Sequence, residues 1–139
     1  MVLLFDTNAV LDYILVRYPQ YNDMVQLVGL CHKFKVKSYI AFHSVSIIWY
    51  NLRHNVPLSD RRKLLMGVAS LFEITSATHP AVVDAMRNEN FPDFEDCLQE
   101  KCALNVNADY IVTSNVKDFA ASKVPAVTPA EMVEIINNS

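Results

Sequence analysis

Short apolar runs alternate along this chain with segments of helical periodicity, and this alternation restricts the fold more than any other feature. Val2–Phe5 is a continuous apolar run of the length of a buried strand, and the turn-forming residues Asp6-Thr7-Asn8 follow it. Further strands are predicted at residues 38–42, 72–76, 110–113 and 124–127. Strands that alternate with helices form a parallel sheet with helices on both faces. The sequence therefore predicts an α/β fold, a three-layer α/β/α sandwich around a mostly parallel sheet of four to five strands.

Helices are predicted between these strands from apolar spacing and from capping residues. The predicted spans are 8–16, 20–34, Ser44 or Ser46 to 54, 60–71 with Ser59 as the cap, 79–89, 93–105 and a final helix from Pro129 to 137. The chain has 139 residues, of which 52% are hydrophobic and 19% are charged. These values are typical of a single globular domain, which we expect to span residues 1–139.

Three features of the composition bear on where such a chain works. The three cysteines show no ligand spacing and are odd in number, which argues against a zinc site and a disulfide framework. No apolar run approaches the roughly 18 residues of a membrane span, and the residues after Met1 lack a basic signal-peptide start. We therefore expect a cytoplasmic protein that does not enter a membrane.

The net charge of −3 hides an uneven distribution of basic and acidic residues. Basic residues cluster at Lys33, Lys35, Lys37, Arg53 and Arg61–Lys63, whereas many acids fall within 84–100. Such clusters are typical either of ordinary solvated faces or of a local basic surface beside an acidic cleft. The sequence leaves both interpretations open.

Acidic and amide side chains follow the predicted strand ends. They are Asp6 after the first strand, Asn115 and Asp118 after the fourth, and Asp93, Glu95 and Asp96 at a helix start. Ligands of parallel sheets bind beyond the carboxyl ends of the strands, so these groups are predicted to converge there. Converging carboxylates repel each other and require a cation or raised pKa values. Oxygen ligands without His or Cys partners favour Mg²⁺ or Mn²⁺.

Each of these residues also fits a structural role. Asp6 fits a turn to the backbone of Asn8, and Asp93 fits an N-cap with Asp96 at N3. Asn115 and Asp118 suit the start of a short helix, and Glu100 suits a solvated helix face. The histidines show no shared spacing and are interpreted as surface or packing residues: His32, His43, His54 and His79.

The motifs together resemble those of the PIN domain family. The resemblance rests on LeuLeuPheAspThrAsnAlaValLeuAsp at 3–12, AspPheGluAspCysLeuGlnGluLysCysAla at 93–103, IleValThrSerAsnValLysAspPhe at 111–119 and ValThrPro at 127–129. These ordered motifs span nearly the whole chain and are most similar to the bacterial toxin-like branch, which contains the VapC ribonucleases.

The resemblance implies a metal-dependent endoribonuclease. By that resemblance, Asp6, Asp96, Asn115 and Asp118 occupy catalytic and metal-site positions, with Asp93 as an auxiliary metal ligand. The implied cofactor is Mg²⁺ or Mn²⁺, and the implied partners are RNA, a second copy of the chain and an antitoxin protein. Under this interpretation the basic clusters are candidates for contacts with the RNA backbone.

One departure from the family pattern leaves an alternative open. The family usually supplies a further acid from the helix after the second strand, but residues 44–54 contain none, and only Tyr50 and Asn51 are polar candidates. The alternative is a catalytically impaired PIN domain that serves as an RNA- or protein-binding module. A haloacid-dehalogenase-type phosphatase is less favoured, because Asn8 stands where its nucleophile loop has an acid and no downstream Gly-Asp pair exists.

Overall fold

The computed structural model describes residues 1–139 and contains one five-stranded sheet. The strands are β1 (Val2–Phe5), β2 (Lys37–Ala41), β3 (Glu73–Thr75), β4 (Tyr110–Val112) and β5 (Ala126–Val127). They lie in the order β3-β2-β1-β4-β5, and every neighbouring pair is parallel. All carboxyl ends therefore meet at one edge of the sheet, with the end of β1 at its centre.

Seven α-helices connect and cover the strands. They are α1 (Thr7–Ile14), α2 (Gln20–Lys33), α3 (Phe42–Leu52), α4 (Leu58–Leu71), α5 (His79–Arg87), α6 (Phe94–Asn105) and α7 (Pro129–Asn137). A short 3₁₀ helix, Val116–Phe119, follows β4. None of the helices combines the length and the hydrophobicity that crossing a bilayer requires.

The core is divided by the sheet, which confirms the predicted three-layer α/β/α architecture. Leu3 and Phe5 of β1 point to one face, where they join the buried residues of α1, α2 and α7. Leu4 points to the other face and packs with Cys97 and Cys102 of α6. This alternation is that of a strand buried on both sides, which explains why Val2–Phe5 is apolar throughout.

Two helix starts differ from the sequence prediction. The helix after β2 begins at Phe42 rather than at Ser44 or Ser46, because Ala41 already has the extended backbone of an N-cap (φ −73°, ψ 146°). Ser44 is instead buried in the first turn, where its hydroxyl lies 2.7 Å from that of Thr7. Helix α4 begins at Leu58 after Pro57, so the predicted Ser59 cap is wrong.

Glu100 also differs from its expected solvated position. Its side chain is only 1% exposed and accepts a 2.7 Å hydrogen bond from the backbone N–H of Lys123. The Nζ atom of Lys101 lies 3.8 Å from the other carboxylate oxygen. Glu100 therefore fastens the segment before β5 to α6, the helix that carries the acidic motif.

We predict that Glu100→Ala lowers the free energy of unfolding by about 2 kcal/mol, because it leaves the Lys123 N–H without its charged acceptor. Urea denaturation measures the change. The control is Glu89→Ala, at an exposed position, which should stay within about 0.5 kcal/mol of wild type. Equal effects of the two substitutions would contradict a structural role for Glu100.

Candidate metal centre

Three carboxylates converge at the carboxyl edge of the sheet. Asp6, Glu95 and Asp96 each offer an oxygen atom, and the three atoms lie within 4.8 Å of one another. Asp6 follows β1 directly and is 2% exposed, whereas Glu95 and Asp96 belong to the first turn of α6 and are half-buried. The structure thus brings together two segments that are about ninety residues apart in the chain.

Asp6 is held by the end of β4. Its backbone N–H donates to the carbonyl of Val112 at 2.9 Å, which extends the pairing of the two strands. The hydroxyl of Thr113 donates to Asp6 Oδ2 at 2.9 Å. Asp6 occupies the N-cap position of α1, but its side chain makes no capping hydrogen bond. The turn to Asn8 does not form, and the carboxylate is directed to the edge of the sheet instead.

Asp93 has the capping role that the sequence offered as its alternative. Its Oδ1 atom accepts a 2.7 Å hydrogen bond from the backbone N–H of Glu95, and its side chain is exposed. This cap fixes the first turn of α6, which carries Glu95 and Asp96. Asp93 itself lies outside the group of three carboxylates.

Asn115 and Asp118 lie on the same edge of the sheet, where the chain leaves β4. Both are exposed, and Asp118 is not part of the three-carboxylate group. The backbone N–H of Asn115 donates to Thr113 Oγ1 at 3.0 Å, so this turn is linked to Asp6 through one hydroxyl. The assignment of Asn115, Asp118 and Asp93 to the site stays a prediction.

Glu95 and His43 belong to this site in the structure but were not included in the predicted set of site residues. Glu95 was noted only as one of several crowded acids, and His43 was interpreted as a surface or packing residue. In the structure, His43 Nε2 lies 3.0 Å from Glu95 Oε1. The signal for His43 was its place two residues after Ala41, at the carboxyl end of β2, where side chains reach the same edge.

The crowding of the carboxylates is visible in their electrostatics. Burial, reinforced by the charge of Glu95, raises the pKa of Asp6 to about 6. Burial and the neighbouring Asp6 and Glu95 raise the pKa of Asp96 to about 7. Burial would also raise the pKa of Glu95, but hydrogen bonds from His43 and Gln99 outweigh it and lower that pKa. Near neutral pH, Glu95 is therefore ionised while Asp96 retains part of its proton.

The donor set fits a hard divalent cation. It consists of carboxylate oxygens alone, since Cys97 and Cys102 are buried in the core beneath the sheet. The imidazole nitrogen His43 Nε2 lies 3.0 Å from Glu95 Oε1, and a hydrogen bond to the ionised carboxylate requires the tautomer with a hydrogen on Nε2. Oxygen ligands favour Mg²⁺ or Mn²⁺ over Zn²⁺, and a cation would relieve the repulsion among the three groups.

The lysines at 33–37 and Arg53 lie away from this centre. Lys33 ends α2, Lys35 follows it and Lys37 begins β2, so all three are at the amino edge of the sheet, opposite the carboxylates. Arg53 follows α3 about 15 Å along the helix from His43, and its guanidinium stacks 3.4 Å from the ring of Tyr50. Neither position favours contact with a phosphate held between the carboxylates.

Comparison with known families shows which family this sequence matches. The sequence model of a family described as "PIN domain" matches residues 2–117. No curated protein sequence matches this chain.

Solved structures share the whole fold at low sequence identity. A chain of VapBC2 from Rickettsia felis, bound to a DNA fragment from its promoter, superposes with a TM-score of 0.68 at 17% identity, covering 92% of this chain and 98% of that one. VapBC-1 from nontypeable Haemophilus influenzae gives a TM-score of 0.67 at 13% identity, with 93% and 98% covered. FitAB bound to an IR36 DNA fragment gives 0.70 at 15% identity, with 94% and 96% covered. At these identities the likeness establishes the fold.

We predict that the metal-free protein loses stability as the pH rises from about 5 to about 7.5. The folded state keeps protons on Asp6 and Asp96 that the unfolded chain has already released, because both pKa values are raised. That stabilisation is complete at low pH and disappears as the pH passes through the raised values. Thermal melting in a chelator at several pH values measures how the melting temperature depends on pH.

Asp96→Asn is the comparison variant for this pH dependence of the melting temperature, since it removes the group with the pKa of about 7. Its melting temperature should vary less with pH than that of wild type. Saturating Mn²⁺ should likewise flatten or reverse the wild-type slope, because metal binding displaces the protons. A wild-type melting temperature that rises over this range in chelator would contradict the crowding of the carboxylates.

Proposed function

Because this chain belongs to the PIN domain family, we propose that it is a divalent-metal-dependent endoribonuclease of the toxin-like type, which hydrolyses phosphodiester bonds of RNA. The observation that carries the proposal is the convergence of Asp6 and Asp96 with Glu95 within 4.8 Å at the carboxyl edge of the sheet. Mg²⁺ or Mn²⁺ is the proposed cofactor. Asp6 and Asp96 are its proposed direct ligands.

The residues around the proposed ion have distinct tasks. Asp6 is fixed by the Thr113 hydroxyl, so its free oxygen keeps one direction. Asp96 is half-buried and remains accessible from solvent, where a phosphate group approaches. A bound divalent ion would activate water and offset negative charge on the phosphate. We assign to Asp118 and Asn115, which are exposed where the chain leaves β4, the orientation of water or substrate, and to Asp93 the support of the site by capping α6.

Partners are proposed from the related complexes and from the surface. The VapBC and FitAB structures contain a chain with the same fold as this protein. Their assembly as complexes supports an antitoxin partner and a homodimer for this chain. Large apolar side chains are exposed on α3 and α4, namely Tyr50 (62%), Leu58 (66%) and Met66 (73%). Exposed apolar area of this kind is typical of protein interfaces. RNA is the proposed substrate, although the lysines at 33–37 and Arg53 lie away from the carboxylates.

We predict that Asp6→Asn and Asp96→Asn each reduce RNA cleavage by about 100-fold or more, because an ion that loses a carboxylate loses several kcal/mol of charge stabilisation. Both substitutions should also abolish Mn²⁺ binding in calorimetric titration. Their metal-free melting temperatures should equal or exceed that of wild type, since each removes repulsion. Cleavage is measured on a mixed RNA pool with Mg²⁺ and with Mn²⁺.

Asp84→Asn, at an exposed position on α5, is the matched control and should leave cleavage and Mn²⁺ binding unchanged. Asp118→Asn should have a smaller effect, about tenfold or less, because Asp118 lies outside the three-carboxylate group. Mn²⁺ binding by wild type without cleavage above the level of Asp96→Asn would favour the binding-module alternative. Wild-type cleavage that is unaffected by Asp6→Asn would contradict the proposed site.

A further inference from the structure

We propose that Glu95 is the third carboxylate of the ion site and that His43 is the residue that positions it. The inference rests on the proposed function, since it concerns the same ion. It adds a ligand that the motif comparison did not assign and a positioning residue on a helix, α3, that contains no acid.

Three hydrogen bonds from neighbouring side chains fall on one oxygen of Glu95. Oε1 accepts from His43 Nε2 at 3.0 Å, from Gln99 Nε2 at 2.7 Å and from the Thr7 hydroxyl at 3.4 Å. The carboxylate is thus fixed from the protein side. A carboxylate oxygen of Glu95 also lies within 4.8 Å of oxygens of Asp6 and Asp96, within reach of a cation that those two would hold.

His43 is suited to position Glu95 rather than to bind a cation. An ionised carboxylate only accepts, so the hydrogen bond at 3.0 Å requires the tautomer with a hydrogen on Nε2, and that nitrogen then has no lone pair for a metal. His43 begins the first turn of α3 at the end of β2, and it reaches across to the first turn of α6. One hydrogen bond therefore sets the orientation of a side chain on a different helix.

Gln99 contacts Glu95 from the buried side of the pocket. The Gln99 side chain is fully buried, and its Nε2 atom donates to Glu95 Oε1 at 2.7 Å, while its own Oε1 atom has no hydrogen-bond partner. A buried amide in this orientation favours the carboxylate form of Glu95, which accepts the hydrogen bond.

Below Glu95, a small polar network joins three helices. The hydroxyls of Thr7 and Ser44 lie 2.7 Å apart, and Gln99 Nε2 lies 3.0 Å from each of them. Thr7 belongs to α1, Ser44 to α3 and Gln99 to α6. Since these hydroxyls are buried beside well-packed strands, the network restricts movement of the first turn of α6 and hence of Glu95.

A purely structural ion pair between α3 and α6 is the competing explanation, and metal affinity separates the two. Our proposal predicts that Glu95→Gln and His43→Ala each weaken Mn²⁺ binding by about 10- to 100-fold in calorimetric titration. His43→Gln, whose amide can still donate to Glu95, should recover part of the affinity lost in His43→Ala. His54→Ala, an exposed histidine just beyond α3, is the control and should bind Mn²⁺ as wild type does.

Metal-free melting provides a second readout. The lowered pKa of Glu95 means that its hydrogen bonds stabilise the charge, so Glu95→Gln and His43→Ala should lower the melting temperature in chelator. A purely structural ion pair predicts these lower melting temperatures with unchanged Mn²⁺ affinity, whereas our proposal predicts weakened Mn²⁺ binding as well. If His43→Ala does not fold, His43→Gln and Glu95→Gln decide the question, because both keep the size and the polarity of the site.

Asp6→Asn separates this inference from the proposed function. If wild type binds Mn²⁺ and Asp6→Asn does not, while Glu95→Gln and His43→Ala bind like wild type, the role of Glu95 is overturned and the proposed function stands. If wild type binds no Mn²⁺, the proposed ion site fails and the inference fails with it. Weakened binding in both Glu95→Gln and His43→Ala, with partial recovery in His43→Gln, supports the inference.

Discussion

The repulsion among three carboxylates at the end of the central strand is the constraint on which the rest of the site depends. Asp6 cannot move away, because its backbone pairs with Val112 and its side chain is buried. Asp96 is brought beside it by α6, which packs against Leu4 on one face of the sheet. Burial, reinforced by the neighbouring negative charges, therefore raises the pKa values of Asp6 and Asp96.

The protein offsets the cost of burying these carboxylates with directed hydrogen bonds rather than with lysine or arginine. Thr113 donates to Asp6, and His43 and Gln99 donate to Glu95. No arginine or lysine makes a salt bridge with any of the three carboxylates. A site with hydrogen-bonded carboxylates and no lysine or arginine partner is left with a net negative potential toward solvent, which would favour a bound cation.

The two edges of the sheet differ in the charge of the residues that they carry. The carboxyl edge carries the acidic centre, whereas Lys35 and Lys37 line a cavity of about 470 Å³ at the amino edge. The lysines at the amino edge are therefore separated from the carboxylates by the length of the strands. This explains why the charge clusters in the sequence, taken alone, did not indicate the edge that carries the acidic centre.

The sequence by itself determined the order of the elements, the parallel sheet and the place of Asp6 after the first strand, because local apolar patterns and strand-end turns encode them directly. Asp96 was distinguished from the acids beside it only by the resemblance of residues 93–103 to the family motif. The sequence also indicated the Asp93 cap, which depends only on neighbouring residues. The roles of His43, Glu95 and Gln99 were decided by the tertiary structure. Their contacts join α3 to α6 across 52 to 56 residues of chain, and no local pattern specifies a partner at that separation.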